Sequence, residues 1–93
     1  MDIEALQRMI DSGRDSAMLR LTLGEAHARQ GDAAAAETHL RQALVLDPGY
    51  SAAWRALGRL QLKAGEEAAA AETFRQGLEA ARQRGDMQIV REL

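Results

Sequence analysis

The sequence lacks cysteine, and its 93 residues include only one proline and one residue each of tryptophan, tyrosine and phenylalanine. The absence of cysteine excludes a disulfide framework, a thiolate metal site and a cysteine nucleophile. β-Branched residues are also scarce, whereas alanine, which has the highest helix propensity, is the most frequent residue. The composition therefore predicts an all-α fold whose core consists largely of small side chains.

Long apolar runs and an excess of positive charge are also missing. No window approaches the roughly 18 apolar residues of a transmembrane helix, and the acidic first residues do not resemble a signal peptide. The formal net charge of −2 argues against general affinity for nucleic acid or a membrane surface. Arg82, Arg84 and Arg91 favour nucleic acid weakly, because no stacking aromatic residues accompany them. We expect a cytoplasmic protein that binds neither membranes nor nucleic acid.

The stretch 46–58, LDPGYSAAWRALG, predicts a joint between two helices. Pro48 has no N–H and fixes its own φ, so the preceding helix should end at or before Asp47. Gly49 can adopt the positive φ of a tight turn, and Ser51 can act as the N-cap of the next helix. Trp54 should then be buried between the structural units on either side of the joint.

The chain matches itself at a repeat offset of 34 residues, the length of one helix pair. The matching positions are a Leu-Gly pair and a later glycine: Leu23 with Leu57, Gly24 with Gly58, and Gly31 with Gly65. Each unit is predicted to form two antiparallel helices. The glycine of the loop is at the position where a residue with left-handed backbone conformation usually ends a helix. The predicted helices cover residues 16–30, 33–46, 51–64 and 67–84.

Two shorter segments flank these units. The first is a helix over residues 2–11, and the second follows Gly85, with Asp86 as its N-cap. The apolar residues of the second segment are Ile89, Val90 and Leu93. Helices this short are marginal in water, so both should pack on the ends of the helical stack. We expect one domain over residues 1–93, with capping helices at 1–15 and 85–93.

The repeated unit resembles the tetratricopeptide repeat (TPR), whose pattern is W-x₂-L-G-x₂-Y, then A-x₃-F, then proline. The second unit, residues 51–84, contains Trp54, Leu57, Gly58, Ala70 and Phe74 at the pattern positions. The first unit, residues 17–50, contains Leu23, Gly24, Ala36, Ala43 and Pro48. Together they predict a TPR-type superhelix of antiparallel helix pairs.

Several positions depart from the pattern. In the first unit, Arg20 and His27 replace the tryptophan and the tyrosine, and Leu40 replaces the later aromatic residue. In the second unit Gln61 replaces the tyrosine, and Arg82 stands where the closing proline is expected. The loss of that proline predicts a longer last helix. Packing explains the matching residues: the glycines and alanines let helices approach, while Trp54 and Phe74 should fill the space between the units.

The resemblance implies a non-enzymatic protein that binds a peptide or a helix of a partner. In this family the binding groove is concave and is lined by the first helix of each repeat. The corresponding positions here are Met18, Leu21, Thr22, Glu25, Arg29, Ala52, Arg55, Ala56, Arg59, Leu62 and Lys63.

A basic stripe within this predicted groove suggests what kind of partner it accepts. Arg55, Arg59 and Lys63 follow one another at every fourth position, so they share one helix face and suit carboxylates of a partner. The alternative is a solvated face that Glu25 and other acids balance. The carboxylate clamp of the chaperone-binding family members uses asparagine as well as lysine, and this chain has no asparagine.

The sequence gives little support for metal binding or catalysis. Glu25 and His27, like Glu37 and His39, are two positions apart, and such side chains diverge by about 200° on a helix. We expect His27 to replace the core tyrosine and His39 to lie on the outer face. No known catalytic motif or phosphate-binding loop is present, so we expect no enzyme activity, no metal ion and no cofactor.

The alternative function is that of a structural or self-associating subunit. Repeat arrays usually need three or more units for a stable core, and this chain has two. Self-association through the repeat ends, or docking into a larger assembly, could supply the missing contacts. A homodimer is therefore an alternative to a peptide-binding adaptor.

Overall fold

The computed structural model describes residues 2–85, and all the regular structure in that part of the chain is helical. The helices are α1 (Ile3–Asp11), α2 (Ala17–Arg29), α3 (Ala33–Leu46), α4 (Ser51–Lys63) and α5 (Glu67–Arg84). The all-α prediction is confirmed, and the helix boundaries agree with the sequence prediction to within one residue. The predicted last helix, with Asp86, Ile89, Val90 and Leu93, lies outside the described residues.

Short polar side chains and glycines determine where the first three helices begin and how the pairs turn. The Oγ of Ser16 accepts from the backbone N–H of Leu19 at 3.1 Å, and Asp32 accepts from Ala35 at the same distance. Both are N-cap hydrogen bonds, which satisfy donors that the helix itself leaves unpaired. Gly31 and Gly65 both have φ of +82°, which confirms the predicted left-handed turns between paired helices.

The joint between the two pairs differs from the prediction in two respects. The N-cap of α4 is Tyr50, so Ser51 is the first helical residue rather than the cap, and it is buried. Gly49 does not have a positive φ. It is needed for space, because a Cβ atom there would lie 2.8 Å from Nε of Arg84. The guanidinium of Arg84 forms an ion pair with Asp47 and passes over the backbone at this glycine.

Within each pair, a glycine accommodates a large side chain from the returning helix. A Cβ atom on Gly24 would lie 2.7 Å from Leu40, and one on Gly58 would lie 2.5 Å from the Phe74 ring. These are equivalent positions, since the repeat offset that relates Gly24 to Gly58 also relates Leu40 to Phe74. The expectation that Phe74 lies between the units is wrong, because its ring packs inside the second pair.

The buried apolar residues of the described chain are all leucines and alanines. Leu23, Leu40 and Leu57 are the largest side chains that are fully buried within the described residues. The pairs α2–α3 and α4–α5 pack most extensively, α3 joins the pairs by packing on α4, and α2 also contacts α4. Since α2 and α4 are neighbours, the first helices of the two pairs lie side by side on one face.

The outer helices complete the stack. The N-terminal helix α1 packs on α2, and its apolar residues Ile3, Leu6 and Ile10 are half-buried. At the other end, α5 has 18 residues whereas α3 has 14. The predicted lengthening is confirmed: without a proline at position 82, the helix continues to Gly85, whose φ is +72°.

Trp54 is only half-buried, so the expectation of a buried tryptophan is wrong. Its indole N–H donates to the carbonyl oxygen of Pro48 at 2.8 Å, and its ring borders a shallow hollow that Glu79 and Gln83 of α5 also line. We expect Trp54→Ala to lower the free energy of unfolding by about 1–2 kcal/mol, below the roughly 3–5 kcal/mol typical of a buried aromatic.

Denaturant melts of the wild type and the variant measure this loss. Trp54→Phe is the matched control, because it keeps an aromatic ring while removing the hydrogen bond to Pro48. It should lower the free energy of unfolding by about 0.5–1.5 kcal/mol. A loss of about 3 kcal/mol or more for Trp54→Ala would show that the side chain is buried in solution.

Candidate functional site

A cleft of about 230 Å³ lies between α2 and α4. Residues from α2 form one wall, residues from α4 form the other, and a side chain of α3 contributes to the floor. Its lining consists of Glu25, Ala28, Arg29, Leu40, Arg55, Ala56, Arg59, Leu60 and Lys63. The cleft therefore combines small apolar surface with long charged side chains at its edges.

The cleft brings together about half of the positions predicted for the groove. Those that line it are Glu25, Arg29, Arg55, Ala56, Arg59 and Lys63. Those that do not are Met18, Leu21, Thr22, Ala52 and Leu62. Met18 and Leu62 are largely exposed instead, and Thr22 Oγ1 donates to the carbonyl oxygen of Met18 one turn before it.

Three lining residues were absent from the predicted groove: Ala28, Leu40 and Leu60. Helical spacing could have identified two of them, since Ala28 follows Glu25 by three positions and Leu60 follows Ala56 by four. Leu40 is on the returning helix α3, which the family pattern assigns to the opposite layer. Only the packing of its side chain against Gly24 brings it to the cleft floor.

Positive charge dominates the lining, which contains four cationic side chains and one carboxylate. None of the ion pairs within residues 2–85 involves Arg29, Arg59 or Lys63. These three side chains can therefore meet a charged ligand without first breaking an ion pair of the described chain. Glu25 is the one acidic group among the described residues that line the cleft.

A second hollow of about 160 Å³ continues the cleft towards the helix-pair turns. It shares Ala28, Leu60 and Lys63 with the cleft and extends to Gly31, Ala33 and Ala64. Its lining is almost entirely apolar apart from Lys63. The open surface thus changes from charged at the Arg55 end to apolar at the Ala64 end.

Tyr50, in the joint before α4, interacts electrostatically with Glu25 of the cleft. Burial raises the pKa of its phenol above the ordinary value, and the carboxylates of Glu25 and Asp47 raise it further. The phenol therefore stays neutral at physiological pH. The influence of Glu25 on Tyr50 was not predicted, because it depends on how the joint folds relative to α2.

The two histidines meet each other rather than the carboxylates beside them in sequence. The rings of His27 and His39 are stacked, with centroids 5.3 Å apart and planes inclined by 7°. His39 is half-buried, so the expectation that it lies on the outer face is wrong. In residues 2–85, no group of three or more acidic or histidine side chains is arranged to hold a metal ion.

Within the same part of the chain, no helix is long and apolar enough to cross a membrane.

Comparisons with known proteins agree with this architecture. The family model of the tetratricopeptide repeat matches residues 27–92. A TPR repeat-containing protein of Pseudomonas aeruginosa is 41% identical over 93 residues, which cover all of this chain and 89% of that protein. The solution structure of a Bordetella parapertussis protein has 42% identity and a TM-score of 0.85, covering 99% of this chain and 80% of that one. With its repeated helix pairs, the chain belongs to the tetratricopeptide repeat family, whose repeats generally mediate protein–protein interaction.

Proposed function

We propose that the protein is a non-enzymatic interaction module and binds a segment of a partner protein in the cleft between α2 and α4. The observation that supports this most is the cleft itself, with apolar side chains at its floor and cations at its edges. We assign the two repeats to residues 17–50 and 51–84, with residues 1–15 and 85–93 as caps. The cleft then lies between the first helices of the two repeats.

The ligand we propose carries carboxylates beside small apolar side chains. Exposed ion pairs contribute little each, so burial against Ala28, Ala56 and Leu60 should supply most of the affinity. The cations should select among ligands and accelerate their association. Glu25 in the same cleft disfavours a uniformly acidic ligand, so a mixed sequence fits best.

We expect charge reversal at Arg59 and Lys63 to weaken binding of an acidic peptide by about tenfold or more, because attraction becomes repulsion at two points of contact. Both residues are exposed, so the melting curve should change little. An immobilised array of short peptides with mixed acidic and small apolar residues would identify a ligand. Titration calorimetry at low and high salt would then compare the wild type with Arg59→Glu/Lys63→Glu.

Reversal at Arg14 and Arg82 is the matched control, because both residues are exposed and neither lines the cleft. The control alters the net charge by the same amount. If it weakens binding as much as the cleft variant does, the attraction is a general effect of charge. If the cleft variant binds every peptide as the wild type does, the cleft is not the binding site.

Self-association is the second candidate function. Val45 is 71% exposed and Leu46 is 45% exposed, and these apolar neighbours at the end of α3 are available to a second copy. Sedimentation velocity at several protein concentrations separates the two functions. A monomer at all concentrations favours the peptide-binding module, whereas a dimer that Val45→Glu dissociates favours the self-associating subunit.

A further inference from the structure

The two helix pairs have different polar side chains at two equivalent positions between their helices. In the second pair, Thr73 Oγ1 donates to Gln61 Oε1 at 2.6 Å, and both residues are buried. The repeat offset relates Gln61 to His27 and Thr73 to His39, the stacked pair of the first unit. At these equivalent positions, the second unit has two side chains that do not titrate and share a hydrogen bond. The first unit has two stacked imidazole rings.

Arg20 connects the histidine pair to the loop before α2. Its guanidinium donates to Nδ1 of His39 at 3.1 Å and makes two hydrogen bonds to Asp15, each of 2.9 Å. Because an arginine has no acceptor, Nδ1 of His39 must be the acceptor. This arrangement exists only while that nitrogen carries no proton.

We propose that Arg20, His27 and His39 form an acid-sensitive latch, in which protonation of His39 loosens the packing of α2 on α3 while α4 and α5 stay packed. A proton on Nδ1 removes the hydrogen bond from Arg20. It also places an imidazolium against a guanidinium and against a second imidazole ring. The second pair has no corresponding response, because Gln61 and Thr73 do not titrate.

The charged groups around the latch determine its sensitivity. Arg20 and His27 face His39 from α2, and Asp15 faces it from the loop between α1 and α2. Asp11 of α1 acts on Arg20, and Asp32 of the turn is 3.9 Å from His27 Nδ1. The charged side chains of α4, Arg55, Arg59 and Lys63, line the cleft instead.

Burial lowers the pKa of His39 below its ordinary value, and the charges of Arg20 and His27 lower it further, while Asp15 opposes them. A histidine whose pKa is lower in the folded state takes up a proton on opening. The first pair should therefore be fully stable above about pH 6.5 and lose stability as the pH falls towards the pKa of the folded state.

The latch has a consequence for the cleft, and this part rests on the proposed function. One wall of the cleft is formed by Glu25, Ala28 and Arg29 of α2. Loosening of α2 at acid pH would displace that wall and release a bound segment. The latch itself involves only residues of this chain and is testable without a ligand.

Native-state hydrogen exchange at about pH 7.5 and about pH 5.5 tests the latch, since the ordinary histidine pKa lies between them. After correction for intrinsic exchange, we expect acid to raise the opening equilibrium constant of α2 and α3 more than that of α4 and α5. This difference in acid response between the two pairs is the quantity that tests the latch. Because pH 5.5 is about one unit below the ordinary histidine pKa, the difference should be at most about tenfold. The variant His27→Gln/His39→Thr gives the first unit the pair of the second and should abolish this difference.

Three results would overturn the proposal. The first is equal acid sensitivity of both helix pairs in the wild type, and the second is an unchanged difference in the double variant. The third comes from NMR titration of the histidine ring protons, if His39 titrates at or above its ordinary pKa. If the double variant does not fold, His39→Gln replaces it, because its side-chain oxygen still accepts from Arg20 without titrating.

Discussion

Replacing Leu57 with alanine should lower the free energy of unfolding by about 2–5 kcal/mol. The side chain is only 1% exposed, and it is one of the three largest fully buried side chains among the described residues. Its neighbours belong to helices that pack through short side chains, so they have little freedom to fill the cavity left behind. A small domain has few kcal/mol to lose, so the variant should be partly unfolded at moderate temperature.

Urea melts followed by circular dichroism measure this effect, and Leu62→Ala in the same helix is the matched control. Leu62 is 52% exposed, so the same chemical change there should lower the free energy of unfolding by less than about 1 kcal/mol. Equal losses for the two variants would show that α4 does not present Leu57 to the core.

Gly58→Val should also be strongly destabilising, by about 1–3 kcal/mol or more. A Cβ atom at this position would lie 2.5 Å from Cε1 of the Phe74 ring, a distance that two carbon atoms do not tolerate. The ring would have to move away, and α5 would lose its packing on α4. Urea melts compared with the wild type measure the loss.

The control for this prediction is Arg59→Val, at the next, exposed position of the same helix. It introduces the same β-branched side chain into the helix without the contact with Phe74. If both variants lose the same stability, the ring accommodates a side chain at position 58 without cost. Adding Phe74→Ala to Gly58→Val should make the two changes non-additive, because the clash disappears with the ring.

The lengthened last helix has a structural role in the arrangement of the two pairs. Because α5 continues past the position of the missing proline, Arg84 reaches back to Asp47 in the joint. The absence of a side chain at Gly49 leaves room for the guanidinium. The contact spans 37 positions of sequence and connects the end of the second pair to the end of the first. It therefore helps to fix the angle between the pairs, on which the shape of the cleft depends.

The two units differ in a way that bears on both proposals. The second contains the aromatic residues of the family pattern, Trp54 and Phe74, together with the buried Gln61–Thr73 hydrogen bond. In the first unit, Arg20 and His27 stand at pattern positions for aromatic residues, and both take part in the polar network of the latch. The proposed latch therefore belongs to the unit whose α2 forms one wall of the cleft.

Local sequence was enough to predict the helices, their pairing and the family. Alanine content and loop glycines such as Gly31 and Gly65 act over a few neighbouring positions, so their effects can be predicted without a fold. The repeat offset also predicted Gly24 and Gly58 as positions where paired helices approach closely, but not which side chains they would meet. Spacing along α4 predicted that Arg55, Arg59 and Lys63 share one face, and all three line the cleft.

Contacts between side chains of different helices depended on the tertiary packing. Three contacts depend on how one helix is rotated and translated against another. They are the stacking of His27 on His39, the contribution of Leu40 to the cleft floor and the contact of Arg84 with Gly49. Helical periodicity assigns a residue to a face but does not determine these displacements, which follow from the sum of many small packing contacts. The half-burial of Trp54 has the same origin, because the path of the joint leaves one side of its ring open to solvent.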